Sequence, residues 1–282
     1  MNVFQLIKRV LDGEFGRIGG SSDAAKYAQV DRRHTELATA YADLTDPGRA
    51  APDYSDAVTR FAYIYKYTTC HADIVYSTID AYRELSDLFD GDGWLKVACV
   101  GGGPGSDFLG VLKYALRKGK TRSLKCFLLD RENAWGDTWS DVEEHSEDLE
   151  FRLSTHFQPL DVTDSRTWAA QEKYRSAQVF TFIYFLSEIF RIEEAARPFF
   201  KELVDNANVG AYFLFVDNDT QAFRRQIERF STEYGLQVVT AASYSHGTDT
   251  SEEKRDLEPY LSSLKDKPKL GAKIYRALMV KR

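Results

Sequence analysis

A glycine-rich turn between an apolar run and an amphipathic segment is the feature that most constrains this chain. Residues 97–100 predict a buried strand, and residues 101–105 follow at once as three glycines, a proline and a fourth glycine. Apolar residues then recur at helical spacing from Phe108 to Leu116. Because glycine permits positive φ and carries no Cβ, such a turn lets the backbone approach a ligand closely. The pattern predicts a strand–turn–helix unit at the ligand-binding edge of an α/β sheet, with Ser106 or Asp107 capping the helix.

Two further apolar runs end in acidic residues at the same predicted edge. Residues 125–129 lead into Asp130, and the strand predicted at residues 151–160 leads into Asp161 and Val162. A carboxylate at the tip of the second strand is placed to accept hydrogen bonds from both ribose hydroxyls of a nucleoside. Asp161 and Val162 would frame an adenine ring. The three strand ends together predict a nucleoside-shaped site.

This spacing resembles that of the class I S-adenosylmethionine (SAM)-dependent methyltransferases, over about residues 94–282. The resemblance implies SAM as the cofactor. The residues that match the family's glycines, ribose-binding acid and adenine-side pair are Gly101, Gly103, Gly105, Asp130, Asp161 and Val162. Many members carry an acid two positions before the first glycine, where this chain has Cys99. Neither a dinucleotide Gly-x-Gly-x-x-Gly nor a Walker loop is present at this turn.

The segment after Asp130 supplies further candidates for cofactor binding. If it is helical, Trp135 and Trp139 are four positions apart and share one face. The two indoles would stack on adenine or form an electron-rich wall beside the sulfonium or a cationic substrate. Alternatively they pack the helix on the sheet, an interpretation that fits Trp139 better than Trp135. Arg131, Asn133 and Trp135 are therefore counted as cofactor-binding candidates, with Asn133 bonding the ribose or the adenine edge.

Strand-like and helix-like segments alternate from residue 94 onward, which predicts a parallel sheet with right-handed crossovers. The family resemblance implies that the last two strands, at residues 236–240 and 273–280, pair as an antiparallel hairpin. The predicted fold is α/β, a Rossmann-like, doubly wound, seven-stranded and mostly parallel sheet with an antiparallel last strand. Residues 1–92 are predicted to form a helical cap or lid, and residues 93–282 the SAM-binding domain.

Residues 53–89 predict one long helix or a kinked pair that begins behind a proline, with Asp53 or Ser55 as the cap. Its apolar and aromatic stripe either packs on the catalytic domain or covers the substrate site as a lid. His71 lies on this stripe. It is either a hydrogen-bonded core residue or a proton acceptor near the methyl group.

The tip of the predicted fourth strand is the first place to look for chemistry. Residues 179–186 predict a central strand that ends in Ser187 and Glu188. The resemblance implies that substrate and methyl group meet at this tip, so Tyr184 and Glu188 join His71 as catalytic candidates. Glu188 would act as a base or substrate anchor, or only cap a helix. Asp217 and Asn218 resemble metal ligands of catechol-type O-methyltransferases, but the rest of that site is not evident, so no metal is predicted.

Composition narrows the partners. The chain has 282 residues and a net charge of −6, which argues against nucleic acid as the partner. Its three cysteines show neither metal-binding nor disulfide spacing, which favours a reducing compartment. The first eleven residues are too short and too interrupted for a membrane span. A cytoplasmic protein with a small-molecule substrate and no membrane partner is predicted.

Four hypotheses about function remain open. The leading one is a transferase, a SAM-dependent methyltransferase that acts on a small molecule by direct in-line transfer. A second is aminocarboxypropyl transfer or cyclisation of SAM, which releases methylthioadenosine and is kept open by Cys99 and the tryptophan pair. A third is an RNA methyltransferase, and the fourth is a SAM-binding domain without turnover. Methyl transfer leaves S-adenosylhomocysteine, so product analysis separates the first hypothesis from the second.

Overall fold

The computed structural model describes residues 2–42, 44–46, 48, 51–118, 122–144, 152–169, 173–248 and 253–282. Its strands are β1 (Trp94–Val100), β2 (Ser123–Asp130), β3 (Leu153–Pro159), β4 (Val179–Ile183), β5 (Tyr212–Asn218), β6 (Leu236–Gly247) and β7 (Gly271–Lys281). They form one sheet in the order β3-β2-β1-β4-β5-β7-β6, in which β1 to β5 are parallel. β7 runs antiparallel to both β5 and β6. The predicted Rossmann-like fold class is confirmed.

Helices precede and flank this sheet. The N-terminal ones are α1 (Val3–Arg17), α2 (Asp23–Ala42), α3 (Ala57–Tyr63), α4 (Thr69–Ala81) and α5 (Arg83–Phe89). Those that follow β1 are α6 (Ser106–Lys118), α7 (Ala134–Glu144), α8 (Ser165–Trp168), α9 (Phe185–Glu188), α10 (Glu193–Asn206), α11 (Gln221–Tyr234) and α12 (Tyr260–Ser263). No helix in the described ranges is both long and apolar enough to cross a membrane.

The sheet separates two hydrophobic cores because alternate residues of each strand face opposite sides. Val97 and Cys99 of β1 belong to the core that also contains the buried residues of α1, α3, α4 and α6. Ala98 and Val100 belong to the other core, which is dominated by phenylalanines of β4, β5, α10 and α11. The N-terminal helices therefore pack directly on one face of the sheet.

The predicted long helix at residues 53–89 is divided. A π-helical turn (Ile64–Thr68) joins α3 to α4, and Tyr82 in an extended conformation separates α4 from α5. The cap is Asp56, whose carboxylate accepts the Val58 N–H at 3.2 Å, and not Asp53 or Ser55. Asp53 instead accepts the N–H and the hydroxyl of Ser55 in the preceding turn.

The predicted fourth strand ends three residues too late. β4 stops at Ile183, Tyr184 adopts a left-handed conformation (φ 56°, ψ 21°), and α9 begins at the next residue. The buried Ser187 N–H donates to Asp217 of β5 at 2.9 Å, which holds this turn. A continuous apolar run does not distinguish a buried strand from a buried turn, and this explains the error.

Other boundaries shift less. Ser106 and Asp107 lie inside the first turn of α6 and do not precede it as caps. β3 begins at Leu153, while the expected strand position at residue 151 lies outside the described residues. β6 extends to Gly247, well beyond the predicted end at residue 240, because it pairs with β7 along its whole length.

Candidate functional site

A cavity of about 560 Å³ lies at the carboxyl ends of β1, β2, β3 and β4. This is the edge at which open α/β sheets bind ligands. Its walls come from the glycine turn, the first turn of α6, and the segments that follow β2, β3 and β4. A roof over it consists of residues 51–54, which precede α3, and Tyr63 at the end of α3. The side chains that line it include those of Asp53, Tyr54, Tyr63, Ser106, Asp107, Asp130, Arg131, Glu132, Trp135, Leu160, Asp161, Val162, Tyr184, Phe185, Glu188 and Arg191. Gly101 and Pro104 line it with the turn.

The glycine turn is fixed to β2 and packed against two indoles. Gly101, with φ of 69°, donates its N–H to the Leu129 carbonyl at 2.8 Å. A Cβ at Gly103 would lie 2.2 Å from Trp135 Cδ1, and one at Gly105 would lie 1.4 Å from Trp139 Cζ2. Only glycine fits these positions. Gly101 therefore lines the cavity, whereas Gly103 and Gly105 make room for the tryptophans.

Asp130 holds the turn and lines the cavity. Its Oδ2 accepts the Gly103 N–H and its Oδ1 accepts the Glu132 N–H, both at 3.0 Å. Burial raises the pKa of this carboxyl to about 6, although the two backbone donors act in the opposite direction. Each carboxylate oxygen has a second lone pair. The side chain is thus able to accept two further hydroxyl donors, as the ribose assignment requires.

The remaining nucleoside-side candidates divide into two groups. Arg131, Asp161 and Val162 line the cavity, and Asp161 Oδ1 also accepts the Thr163 N–H at 2.8 Å. Asn133 does not line it. Its carbonyl accepts the Gly136 N–H at 2.9 Å in the turn that begins α7.

The two tryptophans have different surroundings. Trp139 donates its indole N–H to the Gly103 carbonyl at 2.7 Å and packs edge-on against Phe108, so it serves the turn. Trp135 forms part of the cavity wall, with its ring 5.4 Å from that of Tyr54. The adenine or cation role predicted for the pair therefore remains open for Trp135 alone.

His71 and Tyr184 are brought together by the packing of α4 under the tip of β4. Their rings stack at 4.0 Å with an interplanar angle of 20°. Burial, helped by the charge of Lys269, lowers the pKa of His71 to about 3, so the imidazole is neutral near pH 7. Tyr184 lines the cavity and His71 does not. His71 thus contacts the ring of Tyr184 from behind the cavity wall.

Glu188 lines the cavity close to a cluster of tyrosines. Burial raises the pKa of Tyr41 and Tyr63, and the charge of Glu188 raises both further. The hydroxyls of Tyr41 and Tyr54 are hydrogen-bonded to each other. The rings of Tyr54 and Tyr63 lie 5.6 Å apart. No spacing in the sequence singles out Tyr41 or Tyr54 as part of this site.

Asp107 is a lining residue whose place in the site the sequence did not indicate. It is buried, its carboxylate accepts the Thr181 hydroxyl, and burial raises its pKa to about 7. Its charge also contributes to the raised pKa of the Cys99 thiol, and Cys99 pairs in register with Thr181. Asp107 therefore brings a carboxylate close to the position at which many family members carry an acid.

Asp217 is used within the fold. Its Oδ2 accepts the Ser187 N–H at 2.9 Å and its Oδ1 accepts the Asn218 N–H at 2.8 Å. Burial raises the pKa of this carboxyl to about 7. Within the described ranges, no group of three or more His, Cys, Asp or Glu side chains is arranged to hold a metal ion. The described contacts of Asp217 stabilise the turn that carries Glu188.

A buried carboxylate connects the roof to the tryptophan helix. Glu14 is fully buried, and its Oε1 accepts the Thr138 hydroxyl of α7 at 2.6 Å. Its Oε2 pairs with Arg60 at 3.1 Å. Arg60 in turn donates to the carbonyls of Tyr54 and Ser55 at 2.9 and 2.8 Å. One network thus fixes both the roof and the helix that carries Trp135.

No family model and no curated protein matches this sequence. Among solved structures, an O-methyltransferase family protein from Burkholderia thailandensis matches 92% of this chain and 72% of its own, with 12% identity and a TM-score of 0.50. A proposed RNA methyltransferase from Pyrococcus horikoshii matches 74% of this chain and 83% of its own, with 15% identity and a TM-score of 0.43. A precorrin-6y C5,15-methyltransferase from Geobacter metallireducens matches 72% of this chain and 90% of its own, with 8% identity and a TM-score of 0.40. The sheet order and the first of these superpositions show that the chain has the Rossmann-like fold of the class I SAM-dependent methyltransferases.

Proposed function

We propose that this chain is a SAM-dependent methyltransferase that acts on a small molecule. The observation that supports this most is the shared cavity, where the glycine turn, Asp130, Asp161 and the tip of β4 meet. Its volume of about 560 Å³ lies within the range of small-molecule and cofactor pockets. The fold places such a pocket at the carboxyl edge of the sheet.

The donor set fits the cofactor. Asp130 lines the cavity and accepts one backbone N–H at each carboxylate oxygen, so a lone pair on each oxygen would be left for the ribose hydroxyls. Asp161 and Val162 also line the cavity and would frame the adenine. Asp107 supplies, from the first turn of α6, the carboxylate that position 99 lacks for the amino-acid end. The missing acid at Cys99 is therefore compatible with SAM binding.

Bound SAM would supply a methyl group on a sulfonium sulfur, already activated for in-line displacement. The protein then has to hold the acceptor in line, exclude water and, where the acceptor requires it, accept a proton. Tyr54 and Tyr63 roof the cavity against solvent, and Glu188 is the lining carboxylate beside them. His71 is neutral and packs behind Tyr184, so its proposed role is to position that ring.

The lining charge favours a small molecule over RNA. Six acidic and two basic side chains line the cavity within the described ranges. They are Asp53, Asp107, Asp130, Glu132, Asp161, Glu188, Arg131 and Arg191. A negative surface repels a phosphate backbone, which nucleic-acid enzymes attract with lysine and arginine. Aminocarboxypropyl transfer or cyclisation of SAM would use the same cavity but would release methylthioadenosine, so its product distinguishes it from methyl transfer.

The test is product analysis by mass spectrometry after incubation of the full chain with SAM. A small-molecule fraction and an RNA fraction of cell extract are supplied separately as acceptors. We expect S-adenosylhomocysteine to accumulate with the small-molecule fraction, and Asp130→Ala to reduce it. Methylthioadenosine as the product, S-adenosylhomocysteine formed only with RNA, or no turnover despite binding would each contradict the proposal.

A further inference from the structure

Aromatic rings wall the end of the cavity next to β4. Tyr54 and Tyr63 come from the roof, Trp135 from α7, and Tyr184 and Phe185 from the turn after β4. The rings of Tyr54 and Tyr63 are 5.6 Å apart, and those of Tyr54 and Trp135 are 5.4 Å apart. Burial raises the pKa of Tyr63 and of Tyr184, so both phenols stay neutral near pH 7. Neutral aromatic faces carry negative electrostatic potential and attract cations.

Negative charge lies beside these rings. Glu188 lines the cavity together with Tyr63 and Tyr184. A lining that combines aromatic faces with a carboxylate favours an organic cation over an anion.

Tyr184 supplies an independent observation. It is 8% exposed, and its hydroxyl has no hydrogen-bond partner among the described residues. It is also the one described non-glycine residue with positive φ, at 56°. Buried hydroxyls are normally paired, and strained backbone is concentrated at functional sites. The hydroxyl is itself buried, so the part of Tyr184 that lines the cavity is its ring. A ring held on strained backbone in the cavity wall points to a ligand that contacts aromatic faces.

We propose that the methyl acceptor is an amine that enters this end of the cavity as its ammonium cation, an inference that rests on the proposed function. The rings of Tyr54, Tyr63 and Tyr184 and the carboxylate of Glu188 stabilise the charge. Glu188 takes one proton from the ammonium, which leaves a lone pair on nitrogen. That lone pair forms the new bond to the methyl carbon as the carbon–sulfur bond breaks, and the electron pair of the broken bond stays on sulfur.

The experiment compares 2-phenylethylamine with 2-phenylethanol, its neutral counterpart of the same size. Binding of each to the full chain is measured by ligand-observed NMR titration, with and without S-adenosylhomocysteine. We expect the amine to bind at least about tenfold more tightly than the alcohol. Glu188→Gln should reduce amine affinity about tenfold, because it removes the charge and keeps the shape. Glu132→Gln, at the nucleoside end of the same cavity, is the matched control and should change it less than about twofold.

A second pair of variants tests the ring face. Tyr63→Leu should weaken amine binding about fivefold, whereas Tyr63→Phe should retain it. Thermal unfolding of each variant identifies any that fail to fold, and Glu188→Gln keeps the test valid if Tyr63→Leu is one of them.

Three results would overturn the inference. The first is the alcohol binding as tightly as the amine, and the second is an equal loss of amine affinity in the Glu188→Gln and Glu132→Gln variants. Displacement of the bound amine by an RNA oligonucleotide would also overturn it. S-adenosylhomocysteine is titrated alone in parallel. Failure of that titration counts against the proposed function, whereas its success without an amine preference counts against the inference only.

Discussion

The two ends of the cavity are built in different ways. The nucleoside end consists of residues that directly follow β1, β2 and β3, so parallel strands bring them to one edge. The other end combines Tyr184 and Glu188 with His71 of α4 and with the roof of residues 51–54 and Tyr63. These segments are distant from one another in sequence. A site made of strand ends is therefore encoded locally in the sequence, whereas a site closed by a cap depends on packing between distant segments.

The largest expected effect comes from Glu14, which connects the two ends. Glu14→Ala leaves Arg60 buried without its carboxylate and should lower the free energy of unfolding by about 3–5 kcal/mol. The exposed pair of Arg83 and Asp87 provides the control, because Asp87→Ala should cost less than about 0.5 kcal/mol. Urea unfolding measures both. Equal losses would mean that the network does not hold the roof to the tryptophan helix.

Gly105 tests how strictly the nucleoside end is specified. Gly105→Ala should lower the free energy of unfolding by about 2–4 kcal/mol, since the new Cβ overlaps Trp139 and the backbone φ is 73°. Gly93 has a φ of 78° and open space where a Cβ would lie, so Gly93→Ala isolates the backbone cost of about 1 kcal/mol. If the two alanines cost the same in urea unfolding, Trp139 is not packed on the turn as described.

The pH dependence of stability tests Asp107. Its pKa is about 7 in the folded chain against an ordinary value of 3.8, so the folded state binds the proton more tightly than the unfolded state. This contribution to stability is present at low pH and is lost as pH rises from about 3.8 to about 7.

Asp107→Asn keeps an acceptor for the Thr181 hydroxyl and removes the titration. Between pH 5 and pH 8 the natural chain should lose about 2–3 kcal/mol more stability than this variant. His71 titrates equally in both proteins, whereas Asp130 interacts electrostatically with Asp107, so the difference reports Asp107 together with that interaction. Parallel pH profiles in urea unfolding would show that this carboxyl is not buried in a low-dielectric site.

The smallest expected effect comes from Tyr184, at the β4 end of the cavity. Tyr184→Phe removes a hydroxyl that has no described partner, so stability should stay the same or rise by up to about 1 kcal/mol. Turnover of the acceptor should also stay the same, because phenylalanine keeps the ring that lines the cavity. A clear loss of stability in thermal unfolding would show that this hydroxyl is paired within the protein.

Much of the nucleoside end was predictable from sequence because each feature is local. The glycine turn precedes α6, Asp130 ends β2, and Asp161 follows β3, as their spacing from apolar runs indicates. Sequence also predicted the antiparallel final hairpin, through the family resemblance. It was not predictable that Trp139 packs on the glycine turn while Trp135 also forms part of the cavity wall, because this depends on which glycine each indole covers.

The β4 end was predictable only in part. Tyr184 and Glu188 stood out because they follow an apolar run, yet the left-handed Tyr184 and the start of α9 resemble a strand in sequence. Tyr54 and Asp107 were missed as members of the site. Their place in it is set by contacts with α3 and β4, and no periodicity encodes contacts of that kind.

The most direct test of the central claim is calorimetric titration of S-adenosylhomocysteine into the natural chain and into Asp130→Ala. Asp164→Ala, at the exposed cap of α8, is the control. The account predicts that the natural chain and the control bind alike, and that the dissociation constant rises about 10- to 100-fold in Asp130→Ala, as the ribose hydroxyls lose a charged acceptor. An unchanged dissociation constant in a folded Asp130→Ala protein, or no binding by the natural chain, would contradict it.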